Sequence, residues 1–187
     1  MTFRKQLTSQ ISNLNQTKRA ERYICIDPIL SLQILTQKNF ESLFHLVIKN
    51  KSYLGQWLAW AKEAYTLEDS IKFINEKREL FKQKKEFTYG MFSEKTLVGC
   101  ICAHNLDWSQ GTAYLGYWIA KEYSNQGITS KCCKGLMEYL FSREGIIKIG
   151  ICCEPDNYAS QRIAEKLRMS KNLDVKSGDF YYYSAPK

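Results

Sequence analysis

Residues 114–141, YLGYWIAKEYSNQGITSKCCKGLMEYLF, carry the chain from a strand through a short polar turn into a helix. Tyr114 to Ile119 is dense in aromatic and β-branched side chains, which suits a pleated strand buried on at least one face. Helical spacing then takes over. Ile128, Cys132, Leu136, Tyr139 and Leu140 recur at three- and four-residue intervals, so one stripe of the helix faces a core. Between strand and helix lie Ser124, Asn125, Gln126 and Gly127, small or polar residues with a glycine where the backbone must turn tightly. The first amides of a helix have no partner inside it, and the helix dipole adds partial positive charge there. A phosphate or pyrophosphate can therefore sit on this turn. By itself, the same arrangement also serves as a plain connector.

The string IAKEYSNQGITS at 119–130 resembles the pyrophosphate motif of the GNAT acyl-CoA acetyltransferases, Q/R-x-x-G-x-G/A. Ser124 stands at the Gln/Arg position, Asn125 and Gln126 replace a common Gly-Lys, Gly127 is the family glycine that remains, and Thr129 replaces the small last residue. The resemblance widens along the chain. HNLDW at 104–108, LGYWIAKEY at 115–123 and PDNYASQRIAEKL at 155–167 follow the order seen in the RimJ/RimL group of ribosomal-protein acetyltransferases, with the YdaF-type subgroup nearest. The similarity runs from about residue 31 to about residue 185 and takes in LGQWL at 54–58. Three ordered motifs are a stronger signal than the turn alone.

The resemblance implies acetyl-CoA as co-substrate, without a metal. Backbone amides make most of the family's pyrophosphate contacts, and the implied cofactor-binding residues are Trp118, Ile119, Ala120, Ser124, Asn125, Gln126, Gly127, Ile128, Thr129, Ser130, Asn157 and Ser160. Two parallel strands, here those ending near Ile119 and Cys153, splay so that the pantetheine arm lies between them. A backbone amide near Ile119 or Ala120 then polarises the thioester carbonyl. By family position Asn157 touches the pantetheine or orders the strand, and Ser160 hydrogen-bonds and protonates the leaving thiolate. Many family members use a tyrosine seven residues after that asparagine, where this chain has Ala164. Ser160 reads equally well as a helix residue bonding its own first turn. A carboxylate, or a water relayed by one, can take the amine's proton. Glu154, just past a strand end, is the first choice for that role, and Asp156 and His104 are weaker; Glu154 also reads as a solvated carboxylate at a strand end, and His104 as a strand-end residue capping the turn.

Composition bounds the alternatives. A chain of 187 residues is most economically one domain, and 44% hydrophobic with 25% charged residues is ordinary for a soluble globular protein. No apolar run approaches the roughly 20 residues of a bilayer span, and the N-terminus has no signal-type apolar segment, so a cytoplasmic protein without a membrane partner is expected. Seven cysteines (Cys25, Cys100, Cys102, Cys132, Cys133, Cys152, Cys153) form no C-x-x-C pair and stand beside only two histidines. They read as reduced, mostly buried thiols rather than metal ligands. The net charge is +8, and half of it sits in residues 1–22, where Arg4, Lys5, Lys18, Arg19 and Arg22 oppose Glu21. This basic arm reads as a flexible extension or a short docked helix, able to bring the protein to ribosomes or nucleic acid. No run of arginines interleaved with aromatics marks a nucleic acid as substrate.

The rest follows in order. YICIDPILSLQIL at 23–35 reads as two extended pieces broken at Asp27-Pro28, then a helix with Phe40, Leu43, Phe44, Val47 and Ile48 on one face. SYLGQWLAW at 52–60 reads as a short helix or bend that packs the core or walls a substrate cavity. Thr66 with Asp69 opens a helix from Leu67 to about Lys85, with Leu67, Ile71, Ile74 and Phe81 inward. Strands are expected at Phe87–Phe92 and Leu97–Leu106, a turn over 105–112, a doubly buried strand at Ile146–Cys153, a helix from Asn157 packing through Tyr158, Ile163, Ala164 and Leu167, and a last strand from Phe180. Arg168-Met169 replaces the family's Gly-Phe and removes the glycine of a left-handed helix end. The connection from Met169 to Phe180 reads as shorter than the family's, which opens the acceptor side.

The expectation is an α+β GNAT fold. It has a mixed, mostly antiparallel central sheet with a parallel splayed strand pair, helices on both faces, and a single acetyltransferase domain at 23–187 after the arm at 1–22. The implied activity moves an acetyl group from acetyl-CoA to a primary amine, with a ribosomal-protein N-terminus as the acceptor suggested by the subgroup. The alternatives are a small amine, such as a polyamine or aminoglycoside, and a non-catalytic acyl-CoA-binding or ribosome-associated protein. Monomer and homodimer are both open.

Overall fold

The computed structural model describes residues 22–173 and 180–184. The N-terminal arm, most of which precedes them, lies outside the described residues. The elements run β1 (Tyr23–Cys25), β2 (Leu30–Gln33), α1 (Phe40–Leu54), α2 (Leu67–Lys82), β3 (Phe87–Ser93), β4 (Thr96–Asp107) and β5 (Thr112–Ile119). There follow α3 (Ile128–Arg143), β6 (Lys148–Cys153), α4 (Tyr158–Lys166), β7 (Ser170–Leu173) and β8 (Phe180–Ser184). Among the described residues all eight strands form one sheet, in the order β1-β2-β3-β4-β5-β6-β8-β7. Its pairings are antiparallel except β5 with β6, which are parallel.

Local chemistry sets the boundaries. Asp27 accepts the amides of Ile29 and Leu30 at 3.1 and 2.9 Å, which turns β1 back into β2 at the expected Asp27-Pro28 break. Thr66 and Asp69 form the expected reciprocal cap of α2. That helix stops at Lys82, short of Lys85, because the backbone reverses through Lys84 at φ 52°. The β4 ladder runs on to Asp107, through a bulge between His104 and Asp107 where Asn105 adopts φ 49°. The expected turn over 105–112 is thus confined to its second half.

Alternation along the strands makes two cores. Ile101, Leu115, Tyr89 and Met91 face α3, where Cys132, Cys133, Leu136 and Leu140 are buried. Cys100, Leu97 and Phe92 face α1 and α2, against Leu43, Val47 and Ile74. Burial raises the thiols of Cys102 and Cys132 to about 12, so they behave as small apolar residues. Three expected inward residues face out: Ile48, Ile71 and Tyr158 are 43%, 38% and 67% exposed. On α1 the buried stripe is Leu43, Val47, Asn50 and Leu54, and Ile48 falls one position past it. On α2 the small Ser70 occupies the close approach, its hydroxyl 3.1 Å from that of Tyr65, and Ile71 is rotated away. On α4 the buried positions are Gln161 and Ala164, and Tyr158, the first residue of the helix, lies at the edge of that face. Cys152 and Ile147 are exposed too, so both ends of the expected doubly buried strand are covered on one face only.

Candidate active site

The β5–β6 ladder is short. It pairs Thr112 with Lys148, Ala113 with Ile149 and Tyr114 with Gly150, and then ends. A Cβ at Gly150 would lie 2.6 Å from the Tyr114 ring, so this glycine lets the ring pass close over β6, and the Tyr114 hydroxyl meets that of Tyr183 on β8 at 2.9 Å. Beyond this pin the strands diverge. Leu115 to Ile119 and Ile151 to Cys153 become opposite walls of a cleft of about 420 Å³. Tyr53, Trp57 and Leu58 at the end of α1 close one side, and Thr129 of α3 with Asn157, Ser160 and Ile163 of α4 close another.

The backbone direction of β5 follows from one bond. The Ala120 amide donates to the Val98 carbonyl at 2.9 Å, so by period-two alternation the amides of Trp118 and Gly116 face β4. Those of Ile119 and Tyr117 face the cleft. Of the two amides that could polarise a carbonyl there, Ile119's is placed for it, and Ala120's is committed to β4.

The turn after β5 is held from within. Ser124 donates both its amide and its hydroxyl to the Lys121 carbonyl, at 3.1 and 2.7 Å, and Gln126 donates its side-chain amide to the Glu122 carbonyl at 2.8 Å. These side chains are folded onto the turn, which therefore presents backbone. Asn125 and Gly127 take left-handed conformations, φ 60° and 77°. Asparagine tolerates that region better than most residues, which explains how one family glycine is dispensed with. The α3 ladder begins with Lys131 N–H to Gly127 O, so the amides of Ile128, Thr129 and Ser130 precede it at the positive end of the helix dipole. Behind the turn, buried Asn50 of α1 accepts the Lys121 amide at 2.8 Å while its own amide donates to Leu46 O at 3.0 Å. Sequence reading passed over Asn50, although a polar residue on the stripe Leu43, Val47, Leu54 was a visible signal.

At the other wall Asn157 caps α4, accepting the Ser160 amide at 3.1 Å. Ser160 lies in the first turn and lines the cleft, and Ala164 is fully buried behind it. Glu154 is exposed and is the charged side chain among the lining residues; Asp156 and His104 lie outside the lining. Sequence reading also passed over Tyr117. Among the described residues, its hydroxyl is the buried side-chain oxygen without a hydrogen-bond partner. Burial raises its pKa, the thiols of Cys133 and Cys153 add to the effect, and Ser160 is the polar side chain that acts against it.

Side chains of β5 divide the cleft by face. Tyr117 and Ile119 belong to the face covered by α3, and Trp118 to the face covered by α1 and α2. On the second face Trp118 meets Trp60 edge-on at 6.1 Å, and Trp60 meets Tyr65 at 6.0 Å. Trp57 and Trp60 remain 40% and 41% exposed, an aromatic wall open to solvent. The stretch SYLGQWLAW thus borders the cavity.

The acetyltransferase (GNAT) domain family matches residues 30–170, most of the chain. The chain belongs to the GNAT acetyltransferases. Among relatives, a Bacillus subtilis protein named as a ribosomal N-acetyltransferase, YdaF, is 30% identical over 84% of this chain and 91% of its own length. The Escherichia coli ribosomal-protein-serine acetyltransferase is 26% identical, over 75% of this chain and 79% of that protein. The structure of RimL, a ribosomal L7/L12 alpha-N-protein acetyltransferase in complex with coenzyme A, superposes with a TM-score of 0.83 at 24% identity, covering 87% of this chain and 97% of that one. That likeness shows the fold, with its eight-stranded sheet and single parallel pair. The GNAT member described here is an acetyl-CoA-dependent N-acetyltransferase. The amide-lined turn and the splayed cleft fit a pyrophosphate and an extended pantetheine arm, respectively.

Proposed function

We propose that this enzyme acetylates the α-amino group at the N-terminus of a protein, with a ribosomal protein as the acceptor class, in the cytoplasm. The observation that carries the acceptor reading is the lining of the cleft, which Trp57 and Trp118, the latter backed by the half-exposed Trp60, share with one carboxylate, Glu154. A cationic amine at the end of a flexible chain matches that combination: apolar surface for the first side chain and one negative charge for the ammonium. The names of the relatives point the same way.

Each residue has a role in this reading. The amides of Ile128, Thr129 and Ser130 hold the pyrophosphate, and Gly127 shapes the turn without a side chain in the way. The Ile119 amide donates to the thioester oxygen as it gains charge. Glu154, directly or through water, takes a proton from the ammonium so that the neutral amine can attack. The new C–N bond forms, the C–S bond breaks, and its electron pair stays on sulfur. Ser160 donates its hydroxyl proton to that sulfur and regains one from the nitrogen through solvent. Asn157 keeps the first turn of α4 in place beneath Ser160.

The test is calorimetric titration with acetyl-CoA, beside Gly127→Glu, followed by an acceptor screen of N-terminal peptides, polyamines and aminoglycosides. Micromolar binding lost in the variant, with turnover on peptides, supports the proposal. Turnover on small amines alone overturns the acceptor, and binding without turnover on any amine leaves an acyl-CoA-binding protein.

A further inference from the structure

We infer that Tyr117 is a positioning residue for thiolate protonation, its hydroxyl donating to Ser160 Oγ while Ser160 offers its own proton to the leaving sulfur. This rests on the reading of Ser160 as the proton donor. Tyr117 lies on the stretch of β5 that leaves β6, and its side chain points to the face where α4 carries Ser160. The phenolic oxygen is sealed from solvent and has no hydrogen-bond partner among the described residues. A buried polar group left in that state is costly, by about 1–3 kcal/mol, and a native structure seldom keeps one without a use. Ser160, also on the cleft lining, is the polar side chain whose influence reaches it.

The chemistry asks for such a partner. A serine hydroxyl is a poor acid, because giving up its proton leaves the charge on a single alkoxide oxygen. A neutral donor free to turn to that oxygen stabilises the charge as it develops. Burial keeps Tyr117 protonated, so it acts as a fixed donor and ends each cycle with the proton it began with. The tyrosine that many family members carry on the helix is replaced by the fully buried Ala164, and the strand supplies a phenol from the other side. Sulfur gains one proton, nitrogen loses one, and Ser160 and Tyr117 are unchanged overall.

The experiment compares Tyr117→Phe, Ser160→Ala and the double variant in steady-state turnover, with acetyl-CoA affinity measured by calorimetry and folding by thermal melting. Phenylalanine keeps the ring and its packing, so the fold and the acetyl-CoA Kd should be retained. We expect kcat to fall about 10- to 100-fold in Tyr117→Phe, with KM for acetyl-CoA nearly constant. The double variant should be no slower than Ser160→Ala, because the tyrosine works only through the serine. If Ser160→Ala slows turnover and Tyr117→Phe does not, or if the two losses multiply, the positioning role is overturned and Ser160 stands alone. If Tyr117→Phe raises KM or Kd with kcat intact, the residue is structural. If Ser160→Ala is fully active, the reading of Ser160 itself fails, and the inference with it.

Discussion

Asn50 and Lys121 stand 71 residues apart in the chain, and the side-chain oxygen of the first accepts the backbone N–H of the second at 2.8 Å. Asn50 is 3% exposed, so the bond is made where water cannot replace it. It fixes the chain just after β5, one turn before the amides proposed to receive pyrophosphate. Asn50→Leu keeps the branched shape and strands the Lys121 amide. The expected cost is about 1–3 kcal/mol of stability in urea unfolding. Acetyl-CoA affinity should weaken about tenfold, because the turn is no longer held in one geometry. Unchanged affinity in a destabilised Asn50→Leu would mean that Ser124 and Gln126 hold the turn by themselves.

Asn125 and Gly127 give a second handle on the same turn, since both have positive φ. Asn125→Gly should bind acetyl-CoA as the parent does. Asn125→Val forces a β-branched residue into a left-handed conformation at a cost of about 1–2 kcal/mol, and should weaken binding or stability accordingly. Calorimetry and thermal melting on the pair separate backbone geometry from side-chain chemistry, because neither replacement offers a polar group.

Arg168 concerns how much of the fold could be read in advance. Its place after α4 lacks the family's glycine, which led to the expectation that the left-handed helix end is lost. Arg168 nevertheless adopts φ 56°, and the Met169 amide reaches back to Ala164 O at 3.0 Å. Tertiary packing imposes the turn: Met169 is buried, and β7 begins directly after it. Arg168→Gly should therefore stabilise the protein by about 0.5–1 kcal/mol, a rise of a few degrees in melting temperature. A fall would show that the Arg168 side chain has a role that outweighs backbone strain.

The same distinction runs through the molecule. Periodicity and turn chemistry are local, so Thr66 with Asp69, the Asp27-Pro28 corner and Gly127 were legible. The strand–turn–helix at 114–141 was too, together with the splay of the two parallel strands that family resemblance implied. What depends on register across the sheet was not. The direction of the Ile119 amide needs the pairing of β4 with β5, and the passage of the Tyr114 ring over Gly150 needs β6 beside β5. The short strand β7 also escaped, because SKNL has no alternation to mark it. Tyr117 was visible as a strand residue, but its isolation is a property of the surrounding elements.

Glu122 and Lys49 form an ion pair at 2.7 Å that ties α1 to the turn. The Lys49 hydrogen bond lowers the Glu122 pKa below the usual carboxylate range. A depressed carboxylate contributes stability above its unfolded pKa of about 4.3, and that contribution is lost as pH falls through the lower folded value. The difference in stability between parent and Glu122→Gln should thus be present at pH 7 and disappear toward pH 3. It should be small and shrink with added salt, because the pair is exposed. A difference that persists at pH 3 would point to the neutral hydrogen bonds of the turn instead.

Trp60 tests the acceptor side independently of the cofactor. Its ring bridges Trp118, which lines the cleft from β5, and Tyr65 before α2, yet 41% of the residue is exposed. Burying that remaining surface against an acceptor side chain is the gain available to the enzyme, and the aromatic contact is worth about 0.5–1.5 kcal/mol beyond the area covered. Trp60→Ala should therefore raise KM for a peptide acceptor about tenfold and leave acetyl-CoA Kd unchanged. The penalty should be larger for peptides with an apolar first residue than for those beginning with glycine, where there is no side chain for the wall to cover. Equal penalties for both would make Trp60 a support for Trp118 rather than a surface that reads the acceptor.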